Sequence, residues 1–137
     1  MPAKDKYHDI VRVALEKSGW SITHDPYIIR VGKRRGFIDL GAEFLAAEKD
    51  AVKIAVEIKS FTGVSDLDQF EDALGQFLIY LVALEIRESD RSLYLAVPEP
   101  FYESFFDDPF FLDVAKRFNV SMVVFNYKTQ TIVKWTK

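Results

Sequence analysis

The stretch IAVEIKS, residues 54–60, decides how this chain is read. Successive side chains of a strand point to opposite sides, so Ile54, Val56 and Ile58 share one face and Ala55, Glu57 and Lys59 the other. A strand this apolar belongs in a core. A carboxylate and an ammonium side by side within it therefore need an explanation, and the neighbouring segments supply one.

Downstream, SDLDQFEDALGQFLIYLVALEIRES (65–89) places Leu67, Phe70, Leu74, Phe77, Leu78 and Leu81 at helical spacing, with Ser65 as N-cap. This long helix is expected to cover the Ile54, Val56 and Ile58 face. Upstream, FIDLGAEFLAAE (37–48) reads as a strand, and EKD (48–50) as the turn between it and the next. Before it, WSITHDPYIIRV (20–31) reads as a strand irregular at Asp25-Pro26, joined to the next by the basic hairpin GKRRG (32–36). A first helix spans Asp5 to Ser18, with Ile10, Val11, Ala14 and Leu15 on its apolar side and Gly19 as its stop.

RSLYLAVP (91–98) reads as a buried strand. PFYESFFDDPFFLDVAKRFN (100–119) reads as two short helices broken at Asp108-Pro109, and VSMVVFNYKTQTIVKWT (120–136) as two closing strands turning near Lys128. The order α-β-β-β-α-β-α-β-β combines hairpins with a helical crossover, which predicts an α/β fold: a mixed β-sheet flanked by helices. A chain of 137 residues, 49% hydrophobic, is expected to form a single domain over 1–137. The aromatic supply of 100–111 exceeds what one small core needs, and part of it is expected to form an oligomer or partner interface.

Composition narrows the chemistry. Without cysteine there are no disulfides, thiolate nucleophiles or Cys-based metal sites, and two histidines do not make a His-rich one. The polar opening MPAKDKYHD and the lack of a long apolar run lead to the expectation of a cytoplasmic protein with no membrane segment. A net charge of −3 argues against coating nucleic acid by global electrostatics. Any such contact is local, and Arg30, Lys33, Arg34 and Arg35 form the one basic concentration, suited either to a phosphate backbone or simply to solubility.

In residues 37–42, Asp39 breaks the apolar pattern as Glu57 does. If its strand lies antiparallel beside 51–61, the two carboxylates face the same side. Paired carboxylates repel unless a cation sits between them, and oxygen ligands suit Mg²⁺, or Mn²⁺ in its place. Asp39, Glu57 and the carbonyl of Ile58 are the candidate ligands, and Lys59 is placed to stabilise developing negative charge. On spacing alone, Glu57 and Lys59 fit equally the solvated face of an amphipathic strand.

The pattern Asp39, Glu57-x-Lys59, set after a helix and a hairpin and before a long helix, resembles the PD-(D/E)XK nuclease superfamily. It departs at the first motif, FIDLG, which lacks the Pro-Asp pair. The resemblance implies a restriction-endonuclease-like α-β-β-β-α-β core with C-terminal helices and strands, and Mg²⁺-dependent cleavage of DNA. Gln76 and Tyr80, four apart on one helix face, look like the Q-x-x-x-Y element of the RecB-like branch, which implies places near the metal or the DNA. His8 stands where resolvase-like members carry an acidic residue before the helix-ending glycine. That implies a metal or proton-accepting role, while a plain helix-start histidine is the alternative; Asp9 and Glu16 are weaker candidates.

Over nearly its full length, from MPAKDKYHD through GWSITHDP, IDLGAE, KIAVEIKSF and ALGQFLIY to VFNYKTQTIVKW, the chain resembles the XisH family, cyanobacterial fdxN element excision controlling factors. This implies a role in excising a DNA element during heterocyst development, with a XisI-type companion protein and a site-specific recombinase. It leaves two readings of the Asp39, Glu57 and Lys59 group: a working endonuclease site, or a catalytically silent DNA- or protein-binding factor.

Overall fold

The computed structural model describes residues 4–45 and 51–136. The chain runs α1 (His8–Lys17), β1 (Ser21–His24), β2 (Tyr27–Val31), β3 (Arg34–Ile38), β4 (Leu40–Phe44), β5 (Val52–Ile58), α2 (Asp66–Arg87), β6 (Arg91–Pro98), α3 (Glu99–Phe105), α4 (Pro109–Arg117), β7 (Met122–Asn126) and β8 (Thr131–Trp135). A six-stranded sheet has the order β1-β4-β5-β6-β7-β8, and β2 and β3 form a separate two-stranded ribbon. Strands β5, β6 and β7 are parallel, and the remaining pairs are antiparallel. This is the mixed α/β sheet flanked by helices that the order of elements predicts.

The signals that end elements act as expected. Ser65 caps α2 by accepting the Asp68 N–H at 3.1 Å, Asp108 accepts the Phe110 N–H before α4, and Gly19 follows α1 with φ +97°. The β7 to β8 turn is closed by Asn126 Oδ1, which accepts the N–H groups of Lys128 and Thr129. The EKD turn falls outside the described residues.

Two expected strands are each split in two. Residues 20–31 break at the cis Asp25-Pro26 bond, because proline has no N–H to give a ladder; β1 then pairs with β4 while β2 turns away to β3. Residues 37–48 break at Asp39, whose N–H goes to a side chain instead of a neighbouring strand. The basic hairpin thus leaves the large sheet and lies on α2, where Tyr27, Ile29 and Ile38 join the core under that helix.

The helix covering β5 also differs from expectation. Val11 and Leu15 of α1 pack on Ile54, Val56 and Ile58, together with Leu40, Ala42, Val123 and Phe125. Helix α2 covers the opposite face, where Ala55, Leu93, Leu95 and Val97 meet Phe70, Ala73, Phe77, Ala83 and Leu84. Alternation defines two faces of a strand, but both faces of β5 are buried, and the parallel β5-α2-β6 crossover determines which helix takes which. The buried stripe of α2 is correspondingly rotated: Leu67 is 43% exposed, while Ala73 and Ala83 are buried.

Most of the aromatic run after β6 goes inward. Phe101, Phe105 and Phe106 are buried and Phe111 packs on the same core, with Phe70 at the centre of the ring contacts. Phe110 stays 65% exposed, so few rings of that segment are left for a partner. Among the described residues no helix is long and apolar enough to cross a membrane.

Candidate active site

The β4 to β5 register pairs Leu40 with Val56, so the next step of the antiparallel ladder sets Asp39 across from Glu57. The two acids are tied through each other's backbone. Ile58 N–H donates to Asp39 Oδ2 at 2.8 Å, and Asp39 N–H donates to Glu57 Oε1 at 3.2 Å. One oxygen of each carboxylate is thereby fixed, which leaves Asp39 Oδ1 and Glu57 Oε2 without a backbone hydrogen bond.

Glu57 is only 3% exposed. Burial first, and then the charge of Asp39, push its pKa well above the usual carboxylate range, against the opposing pull of Lys59. The Lys59 ammonium lies 4.0 Å from Glu57 Oε2, and its backbone is held by Lys59 N–H donating to Ala96 O. The strand alternation places Lys59 beside Glu57, and the sheet keeps both rigid.

These groups line a cavity of about 440 Å³ together with Asp5, Arg35, Gly36, Phe37, Ile58, Gln76 and Tyr80. An adjoining cavity of about 480 Å³ shares Arg35, Gly36, Lys59, Gln76 and Tyr80 and adds Arg34, Asp72 and Ile79. A cleft therefore runs between the β2-β3 hairpin and the middle of α2. Gly36 makes the approach feasible: a Cβ there would lie 2.7 Å from Val31 Cγ2 and 3.0 Å from Tyr80 Cε1. Gln76 Nε2 donates to Tyr80 Oη at a long 3.5 Å.

Not every candidate converges. Arg35 and Arg34 reach the cleft, Arg30 lines a separate cavity beside the second half of α2, and Lys33 sits exposed in the hairpin turn. His8 lines none of these walls. It is buried with Nε2 2.7 Å from Asp25 Oδ1, while Arg12 donates to Asp25 Oδ2 at 2.6 Å, so it fastens α1 to the β1-β2 connection. Burial raises the Asp25 pKa, but the hydrogen bonds of Arg12 and His8 outweigh it and hold the carboxyl below its ordinary value. Asp9 pairs with Lys4 at the surface, and Glu16 is exposed.

The acid that does reach the cleft from the N-terminal segment is Asp5, which no motif in the sequence singles out. Its Oδ2 accepts Ser60 N–H at 3.1 Å and its Oδ1 accepts Tyr7 N–H at 2.9 Å, which docks the start of α1 beside Lys59. An aspartate three residues before His8 looks like an ordinary helix-start acid. Only the bond to Ser60, 55 residues away, reveals its place.

Among the described residues no group of three or more His, Asp or Glu is arranged to hold a metal. The donor set nonetheless fits Mg²⁺ or Mn²⁺ as an open site, because Mg²⁺ keeps several waters and needs only one or two carboxylates. Two carboxylate oxygens free of backbone hydrogen bonds, and the carbonyl of Ile58, which lines the same cavity, are a donor set of that size.

The family model described as XisH protein matches residues 1–133. The chain belongs to the XisH family. Among solved structures, an XisH family protein from Nostoc punctiforme is 38% identical, with a TM-score of 0.85 covering 97% of this chain and 100% of that one. An fdxN element excision controlling factor protein from Anabaena variabilis is 39% identical, with a TM-score of 0.86 covering 96% and 98%. No curated protein matches. The XisH likeness spans both the cleft and the six-stranded sheet that carries Asp39, Glu57 and Lys59.

Proposed function

We propose that this XisH family chain carries a Mg²⁺-dependent phosphodiester-cleaving site of the PD-(D/E)XK kind and uses it in DNA element excision. The observation that carries this reading is the reciprocal fastening of Asp39 and Glu57, with Lys59 alongside, at the floor of a cleft open to solvent. Two carboxylates fixed this close, one of them buried, are costly unless a cation or a proton offsets them. The name of the Anabaena relative, an fdxN element excision controlling factor protein, supports DNA element excision as the setting; a XisI-type companion protein and a site-specific recombinase are the partners this proposal expects there.

Asp39 Oδ1, Glu57 Oε2 and the Ile58 carbonyl would hold the ion. When bound, it supplies polarisation of a phosphoryl oxygen and a lowered pKa for a water it holds. Lys59 faces the charge that develops as a water oxygen bonds to phosphorus and the bridging P–O bond breaks, the leaving oxygen taking a proton. Gln76 orients the water or the phosphate, and Tyr80 buttresses Gln76. Arg35 and Arg34 hold the backbone on the hairpin side of the cleft, with Lys33 and Arg30 further out.

The test incubates the protein with supercoiled, linear, single-stranded and branched DNA in Mg²⁺ or Mn²⁺. Wild type should nick at least one form, and Glu57→Ala and Lys59→Ala should each lose about 100-fold or more with an unchanged circular dichroism spectrum. Mn²⁺ binding followed by spin resonance should disappear with Glu57→Ala. A second reading, a silent DNA- or protein-binding factor, is favoured by the net charge of −3. It would be upheld by folded protein that cleaves nothing, binds no Mn²⁺, and still joins its companion after both substitutions.

A further inference from the structure

We propose that the outer face of α2 seats a second copy of this chain, antiparallel to the first across a two-fold axis near Ile79. This goes beyond the hydrolytic reading and does not depend on it. Asp72, Gly75, Ile79, Val82 and Ile86 are all exposed and recur at alternating three- and four-residue intervals, the spacing of a helix–helix seam. Ile79, Val82 and Ile86 are 55%, 54% and 72% exposed, although the helix already buries Phe70, Ala73, Phe77 and Leu84 beneath it. Beside them lies a cavity of about 460 Å³ walled by Arg30, Val31, Ile79, Val82, Ile86 and Arg87.

Two further observations select the occupant. Gly75 sits within a 22-residue helix, and a Cβ built on it meets nothing within 4 Å, so no contact inside the chain requires glycine there. Glycine weakens a helix interior and is suited to the close approach of another backbone. Charge then decides the orientation. Helix α2 opens with Asp66 and Asp68, continues through Asp72, and ends at Arg87, with Arg30 on the same cavity. Among the described residues neither Asp72 nor Arg87 has an ion-pair partner. An antiparallel copy sets acid against base at both ends and isoleucine on isoleucine at the axis, whereas a parallel one sets like on like. Asp72 and Ile79 also wall the cleft next to Lys59, Gln76 and Tyr80, so the docked copy completes the outer rim of that cleft.

The chain has no cysteine, so Ile79→Cys introduces a single thiol at the axis. Under mild oxidation with diamide it should give a disulfide-linked dimer in high yield, and Phe110→Cys, exposed on α4, should not. Sedimentation velocity should find a dimer for wild type, weakened about 100-fold or more by Val82→Asp. Asp72→Arg and Arg87→Asp should each weaken it, and the two together should restore it. Gly75→Ala should raise the melting temperature of the dilute protein while weakening the dimer. A wild-type monomer up to about 100 µM, a dimer indifferent to Val82→Asp, or equal cross-linking through Phe110→Cys overturns the proposal. Whether Glu57→Ala loses DNA cleavage and Mn²⁺ binding is measured independently of these association and cross-linking results, so the two readings fail separately.

Discussion

At position 57 a carboxylate is kept 3% exposed next to a second carboxylate, where a glutamine of the same shape accepts the Asp39 N–H equally well. Glu57→Gln should therefore stabilise the metal-free protein while removing cleavage and Mn²⁺ binding, an exchange common at functional sites. The pH dependence has a definite sign. Because its folded pKa is raised, the contribution of Glu57 to stability is complete below its ordinary value of 4.5 and is lost as pH climbs through the folded value. In EDTA, the melting temperature should fall between about pH 5 and about pH 8, and Glu57→Gln or added Mg²⁺ should flatten that slope. A slope unchanged by both treatments would mean that the carboxylate pair is not what titrates.

Among the elements, the β2-β3 hairpin shapes the cleft, and its fit rests on Gly36 against Val31 and Tyr80. Gly36→Ala should cost about 1–3 kcal/mol by overpacking and weaken DNA binding, measured by melting and by fluorescence anisotropy. Tyr80→Phe should matter little for stability, since the Gln76 contact it loses is 3.5 Å long. In this hairpin, local sequence pattern stops determining the structure. Periodicity and punctuation located α1, α2, β5, β6 and the two closing strands, because each carries its own apolar pattern and its own stop. The departure of the hairpin from the large sheet was not legible, since it depends on which partner takes the Asp39 N–H, a contact across 18 residues. Asp39, Glu57 and Lys59 were found because charge interrupts apolar alternation. Asp5 was not, because nothing local distinguishes it. His8 drew attention by position alone and is instead bound to Asp25.

Across the whole molecule, one buried network joins parts distant in sequence. Arg91 is 5% exposed; it donates to both oxygens of Glu88 and to Ile54 O at 2.8 Å, and it lies over the ring of Tyr27 at 4.8 Å. Tyr27 in turn donates to Glu88. Arg91, against the contrary effect of burial, holds the Glu88 pKa down at about 2, while burial and then Glu88 push Tyr27 up to about 12. Glu88 therefore contributes stability above its ordinary 4.5 that is lost as pH falls toward about 2. Arg91→Met, which leaves the Ile54 carbonyl without this donor and Glu88 with only Tyr27 and Lys53, should cost about 1–3 kcal/mol and reduce that acid-side dependence, as followed by urea unfolding at several pH values.

The ribbon made by β2 and β3 forms no ladder with the main sheet and is connected to it along the chain at residues 25–26 and residue 39, while Tyr27, Ile29 and Ile38 pack in the core beneath it. Its far end bears Lys33 and Arg34, and its root is Asp39 itself. It is thus a short lever with a charged tip, seated on α2 along its length and hinged where Asp39 meets Glu57. If the proposed site grips a polyanion through these arginines, the same short segment that carries the grip ends at the amide that holds Glu57.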